Sequence, residues 1–239
     1  MDTNSSVIKS KSVAIMQPYF FPYIGYFQLI NAVDTFVIYD DVNYINKGYI
    51  NRNSILLNGS PHKLTLALCG ASQNKLINEI FIGNNTQKLL KTIQMAYSKA
   101  PQFETAFDMI CNLLRQKERN LAKFTGESIQ RISEYIELKT KFIYSSDIEK
   151  DNSLKATHKI ISICKKLNSN HYINAIGGEK LYNKLDFSEQ NIKLSFVRPQ
   201  VQIYPQFENV FAPNLSIIDI LMFNSKEHIT TMLAEYKLI

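Results

Sequence analysis

The chain has no tryptophan, only three cysteines and only eight glycines in 239 residues. Cys69, Cys111 and Cys164 are far apart, odd in number and without a CxxC, which excludes a disulfide framework and a structural zinc site. A reducing, cytoplasmic setting is therefore expected. The four histidines, His62, His158, His171 and His228, form no HxH or HExxH spacing, so no metal is expected. Neither GxGxxG nor a Walker lysine occurs, so both standard phosphate loops are missing. No apolar run approaches the roughly 18 residues of a membrane span. The N-terminal MDTNSSVIKSKS lacks the apolar stretch of a signal peptide.

What is present is globular, with 45% apolar and 20% charged residues. Lysine plus arginine is 27 against 21 acidic residues, a net charge of +6. That suits a phosphate-bearing substrate and is too diffuse to imply nucleic acid. The pattern reads as a flexible lead-in (1–12) and one α/β domain (13–239), with a helical insertion at 84–137. Val13–Met16 is a short apolar run expected to be a buried strand. Pro18 and Pro22 keep the next residues out of a regular helix. A helical face begins near Tyr23, and Phe36–Tyr39 is β-rich. This strand–loop–helix–strand spacing predicts two adjacent parallel strands in a partly parallel sheet. A hairpin is expected around Asn58-Gly59-Ser60-Pro61, and Ile77–Ile82 reads as a strand. Helical periods follow at 84–97, 103–119, 120–137 and 153–167. Strands are expected near 142–144, 171–176 and 193–197, a short helix or turn at 179–185, a loop at 198–214, and helices at 216–223 and 225–236.

Ligands in such folds bind outside the carboxyl ends of the strands. Those ends carry Gln17 and the Asp40-Asp41 pair, and the pair is either a base or a cap beside a solvated charge. The following loop places Tyr44, Lys47, Tyr49, Asn51, Arg52 and Asn53 together, a mixture suited to anion recognition or to a solvated surface. Asn174-Ala-Ile-Gly177-Gly178 ends a strand with two glycines, allowing close approach of a ligand or a tight turn. Cys69 with His62 is a formal nucleophile pair, although each cysteine has apolar neighbours. Tyr23-Ile-Gly25-Tyr26 is similar in spacing to the His-x-Gly-His element of nucleotidyltransferases that form acyl-adenylates, with tyrosines at both histidine positions. Gly25 in a tight aromatic core is the alternative.

Four stretches together resemble the WbqC-like protein family: IMQPYFFPYIGYFQLINAVDTFVIYDDVNYINKGYINRN (15–53), KAPQF (99–103), YINAIGGEKLYNK (172–184) and VFAPNLSIIDILM (210–222). The resemblance implies a role in O-antigen or other surface-polysaccharide biosynthesis. It suggests a transferase that moves glycine or a related acyl group onto the amino group of a nucleotide-linked 4-amino-4,6-dideoxy sugar. A neutral amine needs a base, for which Asp40, Asp41 and then His62 are candidates. Asn51, Asn53 and the Gly177-Gly178 amides are candidate oxyanion donors. Lys47 and Arg52 are candidate diphosphate ligands, with Gln17, Tyr23, Tyr44, Tyr49, Asn174 and Tyr204 as further substrate contacts. The activated donor is open between an adenylate, a carrier-protein thioester and an aminoacyl-tRNA, so an acyl carrier protein or a charged tRNA is a candidate partner. The alternative is a non-catalytic sugar-nucleotide-binding or scaffold protein.

Overall fold

The computed structural model describes residues 11–200, 202–208 and 210–239. The expected lead-in falls mostly on residues 1–10, outside the described residues, and the first strand starts at Ser12. In chain order the elements begin with β1 (Ser12–Met16), α1 (Ile24–Asn31) and β2 (Thr35–Ile38). A hairpin follows, β3 (Arg52–Leu57) and β4 (Ser60–Thr65), then the two-residue strands β5 (Leu68–Cys69) and β6 (Phe81–Ile82). Helices α2 (Thr86–Tyr97), α3 (Phe103–Arg115) and α4 (Leu121–Tyr135) lead to β7 (Lys141–Tyr144). The second half is α5 (Ala156–Lys166), β8 (His171–Ala175), α6 (Lys184–Ser188), β9 (Lys193–Pro199), α7 (Ile217–Phe223), α8 (Lys226–Ala234) and β10 (Tyr236–Leu238).

The main sheet runs β7-β2-β1-β8-β9-β10. Its first five strands are parallel and β10 is antiparallel. Counted in chain order within the sheet this is 3-2-1-4-5-6, a doubly wound order whose direction reverses between β1 and β8. The strands alternate as a two-faced sheet must. Ala14, Phe36, Ile38, Ile173 and Val197 pack on one face with α1 to α4, α7 and α8. Val13, Ile15, Val37, Tyr172, Leu194 and Phe196 pack on the other with α5 and α6. Helices of the first half, joined by α7 and α8, thus cover one face, and the crossover helices α5 and α6 cover the other.

The expected parallel pairing of the first two strands is present, with Ala14 opposite Phe36 and Met16 opposite Ile38. The hairpin also forms, and its two-residue turn is Asn58-Gly59, both at positive φ, as a tight turn matched to strand twist requires. Two expectations are corrected. Ile77–Ile82 is a 3-10 turn (Ile77–Glu79) followed by β6, because the buried pair Ile77 and Ile80 is spaced by three rather than two. Its backbone is drawn to the end of β2 by Ile77 N–H to Val42 O and Asn78 N–H to Asp40 O. The last helix ends at Ala234, and Tyr236–Leu238 pairs with Val197–Pro199 instead, covering what would be an open sheet edge.

Candidate functional site

The β1–β2 ladder continues through Met16, whereas the β1–β8 ladder ends at Val13 opposite Tyr172. The two strands at the reversal point therefore part from one another at their carboxyl ends, while each stays paired with its outer neighbour. This is where doubly wound sheets open a ligand crevice. The residues emerging there are Gln17 and Tyr19 from β1, and Asn174 to Gly178 from β8. Asn174 is buried and accepts the Ala175 N–H through Oδ1. Gly178 lies against it, since a Cβ there would fall 2.3 Å from Asn174 Nδ2. Gly177 is exposed and has nothing within 4 Å of an added Cβ.

The loop after β1 is pinned from three sides. Its prolines supply carbonyls but no N–H groups. Asn53 Nδ2 donates to the carbonyls of Phe20 (3.3 Å) and Phe21 (2.7 Å), and Ser216 Oγ donates to Phe21 O (2.7 Å). The Phe20 N–H donates to Tyr49 O, and Tyr26 Oη to Gln17 O. Phe21 is held at φ +43°, a conformation an L residue adopts only when its surroundings fix it. The result fixes Tyr19 and Tyr23 beside the start of α1. Tyr19 stacks at a tilt on Tyr26 and on the exposed Tyr49, with ring centroids 5.5 and 5.6 Å apart. Burial, and then the nearby Tyr23 and Tyr49 hydroxyls, push the Tyr19 phenol above its usual value. Burial and then Tyr49 do the same for Tyr23. These phenols are neutral hydrogen-bond donors at ordinary pH.

Gly25 explains the Tyr-x-Gly-Tyr spacing. A Cβ there would sit 2.4 Å from the Tyr23 ring and 2.8 Å from Pro199, so the glycine admits close packing. The N-terminus of α1 has no side-chain cap, and its Tyr26 N–H turns back to the Tyr23 carbonyl at 3.0 Å.

The acidic pair divides. Asp40 is 3% exposed and accepts from Ser146 N–H (3.0 Å), Ser146 Oγ (2.7 Å) and Asn78 Nδ2 (3.2 Å). It joins the ends of β2 and β7. Asp41 turns to Lys150 at 2.7 Å and Lys159 at 3.6 Å. Burial would raise its pKa, but the hydrogen bond from Lys150 and the charges of both lysines outweigh it and hold the carboxyl below its usual value. Asp41 also borders an open groove of about 490 Å³ with Ser146, Asp147 and Lys150.

The loop residues are employed differently. Tyr44 Oη donates to Asn51 Oδ1, and Asn51 Nδ2 to Leu66 O, both at 2.9 Å. Arg52 Nε donates to Gly48 O (3.0 Å), and Lys47 is exposed at φ +62°. The ion pairs of Asp41 are thus with Lys150 and Lys159, not with this loop. His62 is exposed on β4 opposite Ile55, three register positions from Arg52. Cys69 donates to Ile82 O at 3.8 Å. Burial raises the Cys111 thiol and pushes Cys164 up to about 12, so both are thiols at neutral pH.

Tyr204 belongs to a buried knot that sequence reasoning did not find. Asp219, wholly buried on α7, accepts from Tyr97 Oη (2.7 Å), Tyr204 Oη (2.7 Å) and Gln206 Nε2 (2.6 Å). Burial raises its pKa above the usual carboxylate value despite those three donors. Gln206 also accepts the Ala212 N–H, which ties the segment after β9 to the core.

No helix among the described residues is long and apolar enough to cross a membrane. No solved structure matches the chain. An uncharacterized protein of Mycobacterium tuberculosis is 27% identical over 219 residues, covering 90% of this chain and 94% of that one. The sequence profile of the WbqC-like protein family matches residues 17–231, from the first crevice residue to the last helix, and the chain belongs to that family.

Proposed function

We propose that the protein is an amide-forming transferase that moves glycine or a related acyl group onto the amino group of a nucleotide-linked amino sugar. The observation that carries the reading is the parting of β1 from β8 toward their carboxyl ends, at the reversal point of the sheet. Around it stand Gln17, Asn174, the open Gly177, the neutral phenols of Tyr19 and Tyr23, and the exposed Tyr49. These groups suit sugar hydroxyls and a carbonyl.

In the reaction the lone pair of the neutral amine attacks the donor carbonyl carbon. A C–N bond forms and the bond from carbon to the leaving oxygen or sulfur breaks. The leaving group departs with the electron pair, and the amine surrenders a proton. Of the two carboxylates, Asp41 borders open space and is the candidate to orient or receive that proton. Asp40 positions the ends of β2 and β7. Lys47 and Arg52 remain candidate diphosphate ligands, at the rim.

A non-catalytic sugar-nucleotide binder is the competing reading. It is favoured by the full engagement of Asp40 and by the separation of Asp41 from the cationic loop. The protein should be incubated with nucleotide-linked amino sugars and with acyl-adenylate, carrier-thioester and aminoacyl-tRNA donors, and the products read by mass spectrometry. The transferase reading expects an enzyme-dependent mass gain of one acyl unit on the sugar nucleotide. Binding without any such product across all three donor classes would leave the binder.

A further inference from the structure

Beside the start of α1 lies a cavity of about 40 Å³, between Tyr23 and the segment that follows β9. One water needs roughly 10–15 Å³ of such space, so the cavity admits a group of about three or four heavy atoms. Its polar lining comes from the amides of Gln200, Gln202 and Asn214 and from the phenols Tyr23 and Tyr204. Ile24, Pro199, Phe211, Leu215, Ile220 and Met232 make its apolar lining. Among the described residues that line it none is charged. Asp219 stands behind Tyr204, wholly buried, with both oxygens engaged by three donors. A carboxylate or phosphate here would be buried without a cation, and an ammonium without a reachable anion, and both are strongly disfavoured. Tyr23 links the cavity to the crevice, since it lines the cavity and its phenol is within electrostatic reach of Tyr19 and Tyr49. Gly25 sets the cavity's size, because a Cβ there would push the Tyr23 ring and Pro199, which both line it.

We infer that this cavity seats a neutral two-carbon acyl or carboxamide group, with the methyl against Met232 and the carbonyl or amide at the glutamines. Its role as the acyl seat rests on the transferase reading, which it narrows from glycine, whose ammonium it would reject, to a related neutral acyl group. Its preference for an uncharged occupant rests on the lining alone.

The test is a titration of the full chain, labelled at methionine methyls, with acetamide, acetate and glycinamide as its ammonium. These three probes are close in size and differ in charge. Met232 reports the cavity, and Met95, 71% exposed, is the control. Acetamide should shift the Met232 signal saturably in the millimolar range, as expected for so small a ligand. Acetate and glycinamide should leave it unmoved at roughly tenfold higher concentration, given the lack of a counter-charge. Gln202→Leu should weaken acetamide about fivefold, the value of one hydrogen bond. Gly25→Ala should abolish the shift, and if that variant does not fold, Gln202→Leu decides. Saturation by acetate or glycinamide as tight as by acetamide would overturn the inference. So would a Met232 signal that none of the three moves. Because the readout is binding rather than product, failure here leaves the transferase reading standing, and a negative product assay leaves a filled cavity standing.

Discussion

Replacing Asp219 by leucine is expected to destabilise the protein by about 3–5 kcal/mol, the scale of breaking a buried polar network. The substitution leaves the Tyr97 and Tyr204 hydroxyls without their acceptor, and each unsatisfied buried donor costs about 1–3 kcal/mol, while Gln206 Nε2 loses one of its acceptors and keeps Ala212 O. It also unfastens chain that is distant in sequence, because Tyr97 closes α2 and accepts the Leu56 N–H of the hairpin at 2.9 Å. Asp219→Asn retains one acceptor oxygen and should cost clearly less. Urea unfolding of both variants measures this, and a loss below about 1 kcal/mol for the leucine variant would remove the knot from the account of stability. The pH dependence has a definite sign. The folded pKa of Asp219 is raised, so its ionisation weighs against folding as pH rises from 3.8 through the folded value. Below 3.8 that penalty is absent, and neither variant carries it.

Asp41→Asn is expected to lower amide formation by about 10²–10⁴-fold, the usual contribution of a positioned proton-transfer group. Asp41 is preferred over Asp40 because it borders solvent-reaching space, while Asp40 has three donors upon it. Its lowered pKa makes it a weak base, so orientation of the amine carries more of the effect than basicity. The sign of its stability term opposes that of Asp219. The folded pKa lies below 3.8, so the contribution is present above that value and is lost as pH falls through the folded pKa. Asp41→Asn should therefore abolish an acid-side loss of stability that the wild type shows. If Asp41→Asn and Asp40→Asn both form amide at near wild-type rate, the carboxylates are structural. The chemistry then belongs to His62 or to the Asn174–Gly178 turn.

The parallel pair Val13–Met16 and Phe36–Ile38 was readable because apolar runs of strand length flank a helical period within one crossover unit. The Asn58-Gly59 turn was readable from the positive φ that those residues accept. The strand order was not, since nothing local tells β8 to lie beside β1 some 160 residues earlier. Asn53 looked like a ligand for anions because its sequence neighbours are polar. Its actual partners, the Phe20 and Phe21 carbonyls, become available through a proline-interrupted loop 32 residues away. Lys150, Lys159 and Asp219 were invisible for the same reason, as their partners lie more than 100 residues distant or, for Tyr204 and Gln206, in an irregular segment without period. Tyr236 misled because it continues the spacing of α8, and only the open edge of β9 decides for a strand at Tyr236–Leu238.

Hydrogen exchange of the full chain, with and without a nucleotide-linked amino sugar, tests the central claim most directly. If the crevice between the carboxyl ends of β1 and β8 is the substrate site, amides at 17–25 and 174–178 should gain protection together, with a smaller gain at 47–52 as the rim closes on phosphate. Protection confined to 47–52, or confined to the groove beside Asp41 with residues 17–25 and 174–178 unchanged, would contradict that placement.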